Sequence, residues 1–169
     1  MPDNFSSDEN ESQPVVAEGF RCNVALILER EDGNIFIGER IDRHGAWQFP
    51  QGGVDDGESL AEALHREVEE EIGILPQAYQ LIERRGGYRY LFPQWHRRNG
   101  HYKGQEQTYF RCRFIGNDSD IDLDTAKPEF SSYQWIAPED FDLSWLPSFK
   151  SEVYMRVLSD FFGVSLESS

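Results

Sequence analysis

Between residues 20 and 29 the chain reads FRCNVALILE, a largely apolar run rich in β-formers, which predicts a strand. Asp32, Gly33 and Asn34 form a strong turn signal, and IFIGER follows at 35–40, so the two runs predict a β-hairpin. HGAWQFPQGG (44–53) has loop chemistry: Pro50 cannot sit in mid-strand, and Gly52 and Gly53 permit unusual backbone angles. A helix is expected from about Ser59 to Ile72. Ser59 and Glu62 have capping-box spacing, Gly73 suits a C-cap, and Pro76 prevents continuation. Segments 79–91, 105–115 and 131–136 predict further strands. A last helix is expected over 148–162, with Val153, Val157, Leu158 and Phe161 at helical spacing. No internal repeat is present. Strands enclosed by a few helices predict an α/β or α+β sandwich.

The first helix carries a crowd of acids. With about 100° per residue and Glu67 at 0°, Glu70 lies near −60° and Glu71 near +40°. Leu64, Val68, Ala61 and Ile72 fall between about 60° and 140°, the arc expected to face the core. Glu62 and Glu69 point to the opposite side, near 200°. Glu67, Glu70 and Glu71 therefore share an arc at the margin of the buried face. Like charges three or four apart repel by roughly 0.2–0.5 kcal/mol per pair. A solvated face would mix Lys and Arg among its acids, and this helix offers only Arg66. Three carboxylates at i, i+3 and i+4 make an oxygen-rich cage of the kind hard divalent cations prefer.

Bulk composition adds bounds. A chain of 169 residues, 38% hydrophobic, fits one domain with a sizeable core. The net charge of −15 opposes non-specific binding to DNA or to the body of an RNA. Residues 1–19 carry five acids and no Lys or Arg, and are expected to form a disordered tail. Asp55 to Glu71 carries eight acids against one arginine. No apolar run approaches the roughly 20 residues needed to cross a membrane. The N-terminus lacks the features of a signal peptide, so a cytoplasmic location is expected. There Cys22 and Cys112 are expected to be reduced. His44, His96 and His101 lack partners at zinc-ligand spacing.

GGVDDGESLAEALHREVEEEIGI (52–74) resembles the Nudix box, Gly-x5-Glu-x7-Arg-Glu-U-x-Glu-Glu-x-Gly-U, with U aliphatic. All nine specified positions match: Gly52, Glu58, Arg66, Glu67, Val68, Glu70, Glu71, Gly73 and Ile74. The resemblance implies a Nudix fold, a mixed sheet sandwiched between helices with the box as loop–helix–loop, over residues 20–163. Residues 164–169 are expected to be a frayed end. It further implies a hydrolase acting on phosphoanhydride bonds of nucleoside diphosphate derivatives, with Mg²⁺, or Mn²⁺ as a substitute. Glu67, Glu70 and Glu71 would be metal ligands, assisted by the Gly52 carbonyl. Glu58, Arg66 and Gly73 would be structural.

The flanks narrow the resemblance. WQFPQGG before the box, FRCNV, GQEQTYF, KPEF, YQW and SFKSEVYMRVL are similar to the bacterial RNA pyrophosphohydrolases and to plant-type diadenosine tetraphosphate hydrolases. This implies that Glu129 joins metal binding or catalysis, with Glu70 and Glu129 both candidate bases. It also implies that Arg21, Arg40, Tyr90, Phe149 and Lys150 contact substrate. The bland alternative makes Tyr90 and Phe149 core, and Arg40 and Lys150 surface. A basic and aromatic stretch supports a polyphosphate site independently. Arg84, Arg85, Arg89, Arg97, Arg98 and Lys103 interleave with Tyr88, Tyr90, Phe92, Trp95 and Tyr102, without an acid. The expected substrate is a nucleotide polyphosphate or the 5′ end of an RNA. Release of 5′-monophosphate RNA, or cleavage of diadenosine tetraphosphate to ATP and AMP, follows from the resemblance. The alternatives are another nucleoside diphosphate derivative (ADP-ribose, a nucleotide sugar, an oxidised dNTP) or a non-catalytic nucleotide-binding module. The intact box speaks against the last.

Overall fold

A computed structural model describes Phe5, residues 16–94 and residues 102–167. Seven strands form one mixed sheet: β1 (Phe20–Glu29), β2 (Ile35–Arg40), β3 (Trp47–Gln48), β4 (Gln51–Gly53), β5 (Tyr79–Leu91), β6 (Gly104–Phe114) and β7 (Phe130–Ile136). The path runs β3-β2-β1-β6-β5, with β4 against β1 and β7 against β2. Helix α1 (Leu60–Ile72) and helix α2 (Ser148–Phe162) contribute to two separate apolar clusters.

Strand β1 explains the two layers. Val24, Leu26 and Leu28 belong to the α1 cluster, with Leu64, Val68 and Phe110. Ala25 and Ile27 belong to the other, with Phe49, Tyr109, Val153 and Val157. Alternate side chains leave opposite faces of a strand, so a strand covered on both sides must be apolar almost throughout. That is why residues 24–28 show no polar alternation.

The expected hairpin of β1 and β2 forms only at its turn end. The two strands meet at a single pair, Glu29↔Ile35. The turn itself forms, with Arg30 N donating to Asn34 O at 2.8 Å and Gly33 at φ 89°. Beyond it β1 pairs in parallel with β6 along its whole length, from Phe20↔Gly104 to Glu29↔Arg113. Its other edge takes β4 at Asn23↔Gly53, Val24↔Gly52 and Ala25↔Gln51. With both edges filled, β1 leaves β2 to pair with β7 and β3. The stretch 44–53, expected to be loop, contains the short strands β3 and β4. Pro50 lies between them, where its missing N–H interrupts no ladder, and its carbonyl accepts from Leu26 N at 2.9 Å.

Helix α1 begins and ends where its local chemistry directs. Ser59 Oγ accepts from Glu62 N at 3.1 Å, and Glu62 Oε1 accepts from Ser59 N at 3.2 Å. Gly73 closes the helix in the left-handed region at φ 74°, its N–H donating to Glu69 O at 3.0 Å. Ser59→Ala removes a cap on a buried residue. It is expected to lower unfolding free energy by about 1 kcal/mol in urea denaturation, with catalytic constants unchanged.

Most of the stretch expected to be a disordered tail lies outside the described residues. Phe5, within it, is instead buried at 3% exposure, its ring 4.6 Å from His65 and 6.1 Å from Tyr79 and Phe110. At that point the acidic segment is anchored to the α1 layer. No helix among the described residues is long and apolar enough to cross a membrane. Cys22 and Cys112 are unpaired thiols, as expected.

Candidate active site

The site forms where β4 runs into the loop that opens α1. Two successive glycines there have opposite neighbours. A Cβ on Gly52 would lie 2.0 Å from the Glu67 carboxyl carbon, and one on Gly53 would lie 2.1 Å from an Arg21 guanidinium nitrogen. Successive strand residues face opposite sides of a sheet. The β4 backbone is thus approached by an α1 carboxylate from one side and by the β1 guanidinium from the other.

Arg66 organises the box. Its Nε donates to Glu58 Oε2 at 2.7 Å and its Nη2 to Glu58 Oε1 at 2.9 Å, a bidentate pair. Nη2 also donates to the Gly53 carbonyl at 2.9 Å, tying helix to strand. Nη1 reaches Glu67 Oε1 at 2.8 Å and Glu70 Oε2 at 3.4 Å. Glu58 accepts from Asp55 N at 2.8 Å and so fixes the turn before the helix. The Arg66 hydrogen bond holds the Glu58 carboxyl below the ordinary carboxylate range. Glu58 and Arg66 thus join the loop, the strand and the helix of the box, and Gly73 ends that helix.

The acids divide as the helical projection requires, with one sharpening. Glu62 and Glu69 are exposed. Glu71 lies deeper than the margin expected for it, at 4% exposure. Among the described residues its side chain accepts one hydrogen bond, from Gln51 N at 3.1 Å. Burial pushes its carboxyl well above the ordinary range, and the charges of Glu67, Glu129 and Glu70 push it further. Glu67 is raised as well, by burial first, with Arg66 opposing. Glu129, just before β7, is exposed, yet its charge acts on Glu71. Folding therefore brings the Glu129 carboxylate toward the box across 58 residues of sequence.

Among the described residues no three His, Cys, Asp or Glu side chains are gathered closely enough to hold a metal ion. Arg66 draws Glu67 and Glu70 to itself instead. The donor set still suits a hard divalent cation, because every candidate atom is oxygen. Among the described residues Glu71 is buried with one amide as its partner, feels the charges of three other carboxylates and lacks a countercharge.

On the α2 side the basic and aromatic candidates converge. Tyr90 is 7% exposed, its hydroxyl donates to Gln105 Oε1 at 3.0 Å, and its ring lies 5.7 Å from Phe149. Tyr90 thus belongs to the core cluster, as the bland alternative held, with its hydroxyl on a polar neighbour. Lys150 Nζ lies 5.9 Å from the Tyr90 ring centre. Burial lowers the Lys150 ammonium to about 8, with the charge of Arg40 acting in the same direction. Arg40 itself pairs with Asp42 at 2.7 Å. Arg21 is exposed and makes no side-chain hydrogen bond or ion pair among the described residues.

The described part of the basic stretch is engaged within the protein. Arg85 pairs with Glu83 at 2.6 Å, and Arg89 pairs with Glu106. Trp95, His96, Arg97, Arg98 and His101 lie outside the described residues. Sequence reasoning also missed a polar group: Asn23, Gln107 and Tyr109, all buried, with half-buried Gln51. The available signal was the recurrence of polar residues inside apolar strand runs, Asn23 in FRCNV and Gln105 and Gln107 in GQEQTYF.

Comparison with known proteins agrees with this geometry. The NUDIX domain profile matches residues 19–157. An RNA pyrophosphohydrolase from Wolbachia pipientis subsp. Culex pipiens (strain wPip) is 39% identical over 152 residues, covering 86% of this chain and 91% of that protein. The E. coli dihydroneopterin triphosphate pyrophosphohydrolase superposes with a TM-score of 0.60 at 16% identity, over 85% of this chain and 97% of that one. A C. elegans Ap4A hydrolase binary complex superposes with a TM-score of 0.59 at 20% identity, over 83% and 98%. These two structures share the fold. Nudix hydrolases generally require a divalent cation, usually Mg²⁺. With an intact box folded as strand, loop and capped helix, and with that profile and relative, this chain belongs to the Nudix family.

Proposed function

We propose that the protein is a Mg²⁺-dependent Nudix pyrophosphohydrolase of the RNA 5′-pyrophosphohydrolase type, with dinucleoside polyphosphates as alternative substrates. One observation carries this: Glu67 and Arg21 meet the β4 backbone at consecutive glycines from opposite sides. Oxygen ligands for a cation, and a guanidinium without a partner among the described residues for phosphate oxygens, thereby share one short strand. The 39% identical relative supports the substrate class, since it is an RNA pyrophosphohydrolase.

The Gly52 carbonyl, Glu67, Glu70, Glu71 and Glu129 would hold Mg²⁺, with Mn²⁺ as a substitute. The bound cation supplies charge neutralisation to phosphoryl oxygens and acidifies water. Arg66 pairs with Glu67 and Glu70, so its guanidinium would compete with a cation for these two carboxylates. Arg21, Arg40 and Lys150 take the polyphosphate, and Phe149 packs against the terminal base. Water attacks a phosphorus in line, and Glu70 or Glu129 accepts its proton. Glu70 is beside Arg66, whereas Glu129 has no side-chain hydrogen bond or ion pair among the described residues. With 5′-triphosphate RNA, the products are 5′-monophosphate RNA and pyrophosphate, or phosphate in successive steps. With diadenosine tetraphosphate they are ATP and AMP. The net charge of −15 fits an enzyme that grips one phosphorylated end and not a nucleic-acid body. Two unpaired thiols fit a cytoplasmic location.

The test compares kcat/KM on triphosphorylated RNA and on diadenosine tetraphosphate at the same Mg²⁺ concentration. A clear preference for ADP-ribose, a nucleotide sugar or an oxidised dNTP overturns the substrate class. A pH profile tests the cationic side. A lysine lowered to about 8 is charged below that value and loses its proton as pH rises through it. The alkaline limb of kcat/KM, which reports the free enzyme, is expected to fall with a midpoint near 8. Lys150→Arg moves that limb out of range; an unmoved limb removes Lys150 from phosphate binding.

A further inference from the structure

We infer that Tyr109, Gln107 and Asn23 form a buried relay that fixes the orientation of the Gln51 side-chain amide, so that Gln51 presents N–H donors to the polyphosphate. The inference rests on the active-site reading above and adds one substrate-binding residue and three positioning residues to it.

The relay is continuous. Tyr109 OH donates to Gln107 Oε1 at 2.9 Å, Gln107 Nε2 donates to Asn23 Oδ1 at 2.9 Å, and Asn23 Nδ2 donates to Gln51 Oε1 at 2.9 Å. It crosses β6, β1 and β4, and the registers Asn23↔Gln107, Ala25↔Tyr109 and Ala25↔Gln51 bring its members together. Tyr109 and Asn23 are 1% exposed and Gln107 4%, so water does not compete for their bonds.

A primary amide has an oxygen end and a nitrogen end, and rotation by 180° exchanges them. The phenol decides which end faces where. Tyr109 packs against the rings of Phe49 and Tyr88 within the α2 cluster. Burial pushes its hydroxyl well above the usual tyrosine range, so its proton stays in place. That proton has one acceptor among the described residues, Gln107 Oε1. Reversing the chain would leave a buried donor unpaired in apolar surroundings, the costly case for a polar group. Each amide therefore takes one orientation, and the last in line, Gln51, receives a hydrogen bond on its oxygen.

The Gln51 nitrogen is the remaining end. It makes no hydrogen bond among the described residues, while the backbone N of the same residue donates to Glu71. Gln51 shares its face of β4 with Gly53, by strand alternation, and Gly53 meets the Arg21 guanidinium on that face. Arg21 also makes no side-chain hydrogen bond or ion pair among the described residues. Two neighbouring sets of N–H donors without acceptors match an anion with several oxygens on a chain. Gln51 would then couple the two halves of the site, its backbone on the metal-side carboxylate and its side chain on the phosphates.

A double-mutant cycle tests this with the full-length protein. Asn23→Asp keeps an acceptor for Gln107 but offers Gln51 only oxygen, so the Gln51 amide turns and points its oxygen at the phosphates. Gln51→Met removes the donor and keeps the length. Each is expected to raise KM about tenfold with kcat within threefold, and Asn23→Asp is expected to change KM less than twofold in the Gln51→Met background. Affinity for a methylene-bridged diadenosine tetraphosphate, measured by calorimetry, reads the same cycle without turnover. Tyr109→Phe replaces Asn23→Asp in the cycle if that variant does not fold. Multiplying effects in the double variant overturn the relay, as do single variants with KM and Kd unchanged. Loss of the relay with wild-type turnover intact leaves the active-site reading standing. Glu70→Gln turning over like wild type sinks that reading, and the calorimetric cycle then decides the relay alone.

Discussion

Glu70→Gln is expected to lower kcat on the preferred polyphosphate by about 10²–10⁴-fold at saturating Mg²⁺, the range for losing a positioned acid–base group. The amide keeps the size of the side chain and loses its charge. Stability should change little, because the one ion pair involved, with Arg66, is long at 3.4 Å and partly solvated. Glu69→Gln is the matched control. It is one residue away on the same helix but exposed, on the side turned from the box. It is expected to leave kcat within twofold. Glu129→Gln, measured beside them, separates the two candidate bases: the variant that abolishes the acidic limb of the kcat profile has removed the base. Turnover of Glu70→Gln near wild type, with Mg²⁺ saturating, would overturn the catalytic assignment of the box.

Saturating Mg²⁺ is expected to raise the thermal midpoint. A ligand that binds only the folded state at 100 times its Kd stabilises by about 2.7 kcal/mol. For a domain of this size that corresponds to roughly 5–10 °C. The physical source is the uncompensated cluster at α1: Glu71 is buried, and Glu67, Glu129 and Glu70 all act on it. Glu71→Gln removes the buried charge, so it is expected to raise the metal-free midpoint and to shrink the Mg²⁺ increment. A midpoint that does not move with Mg²⁺, by calorimetry at several concentrations, removes cation relief as the reason for crowding these acids.

What could be read along the chain follows from how local each signal is. The ends of α1 were legible because a cap is satisfied within four residues, as Ser59 with Glu62 and Gly73 with Glu69 show. A structural role for Glu58 and Arg66 was expected only through the box resemblance; the bidentate pair between them is what the fold adds. The hairpin was over-read because a turn signal fixes the reversal and not the partner. Whether β2 stays with β1 depends on who else claims the edges of β1, and β4 and β6 claim them. The tail was read from composition, which carries no trace of the socket that His65, Tyr79 and Phe110 make for Phe5.

The sequence by itself determined the box: which acids share an arc, which turn to solvent, where the helix starts and stops. Those are consequences of 100° per residue and of capping, and they need no distant partner. Only the tertiary structure decided what surrounds that arc. It placed Glu71 deep in the interior and set Arg21 and Glu67 against consecutive glycines. It also aligned Asn23, Gln107 and Tyr109 behind Gln51. Each depends on the register of β4 and β6 against β1, and register is set by pairing between segments up to 84 residues apart, not by the composition of either one.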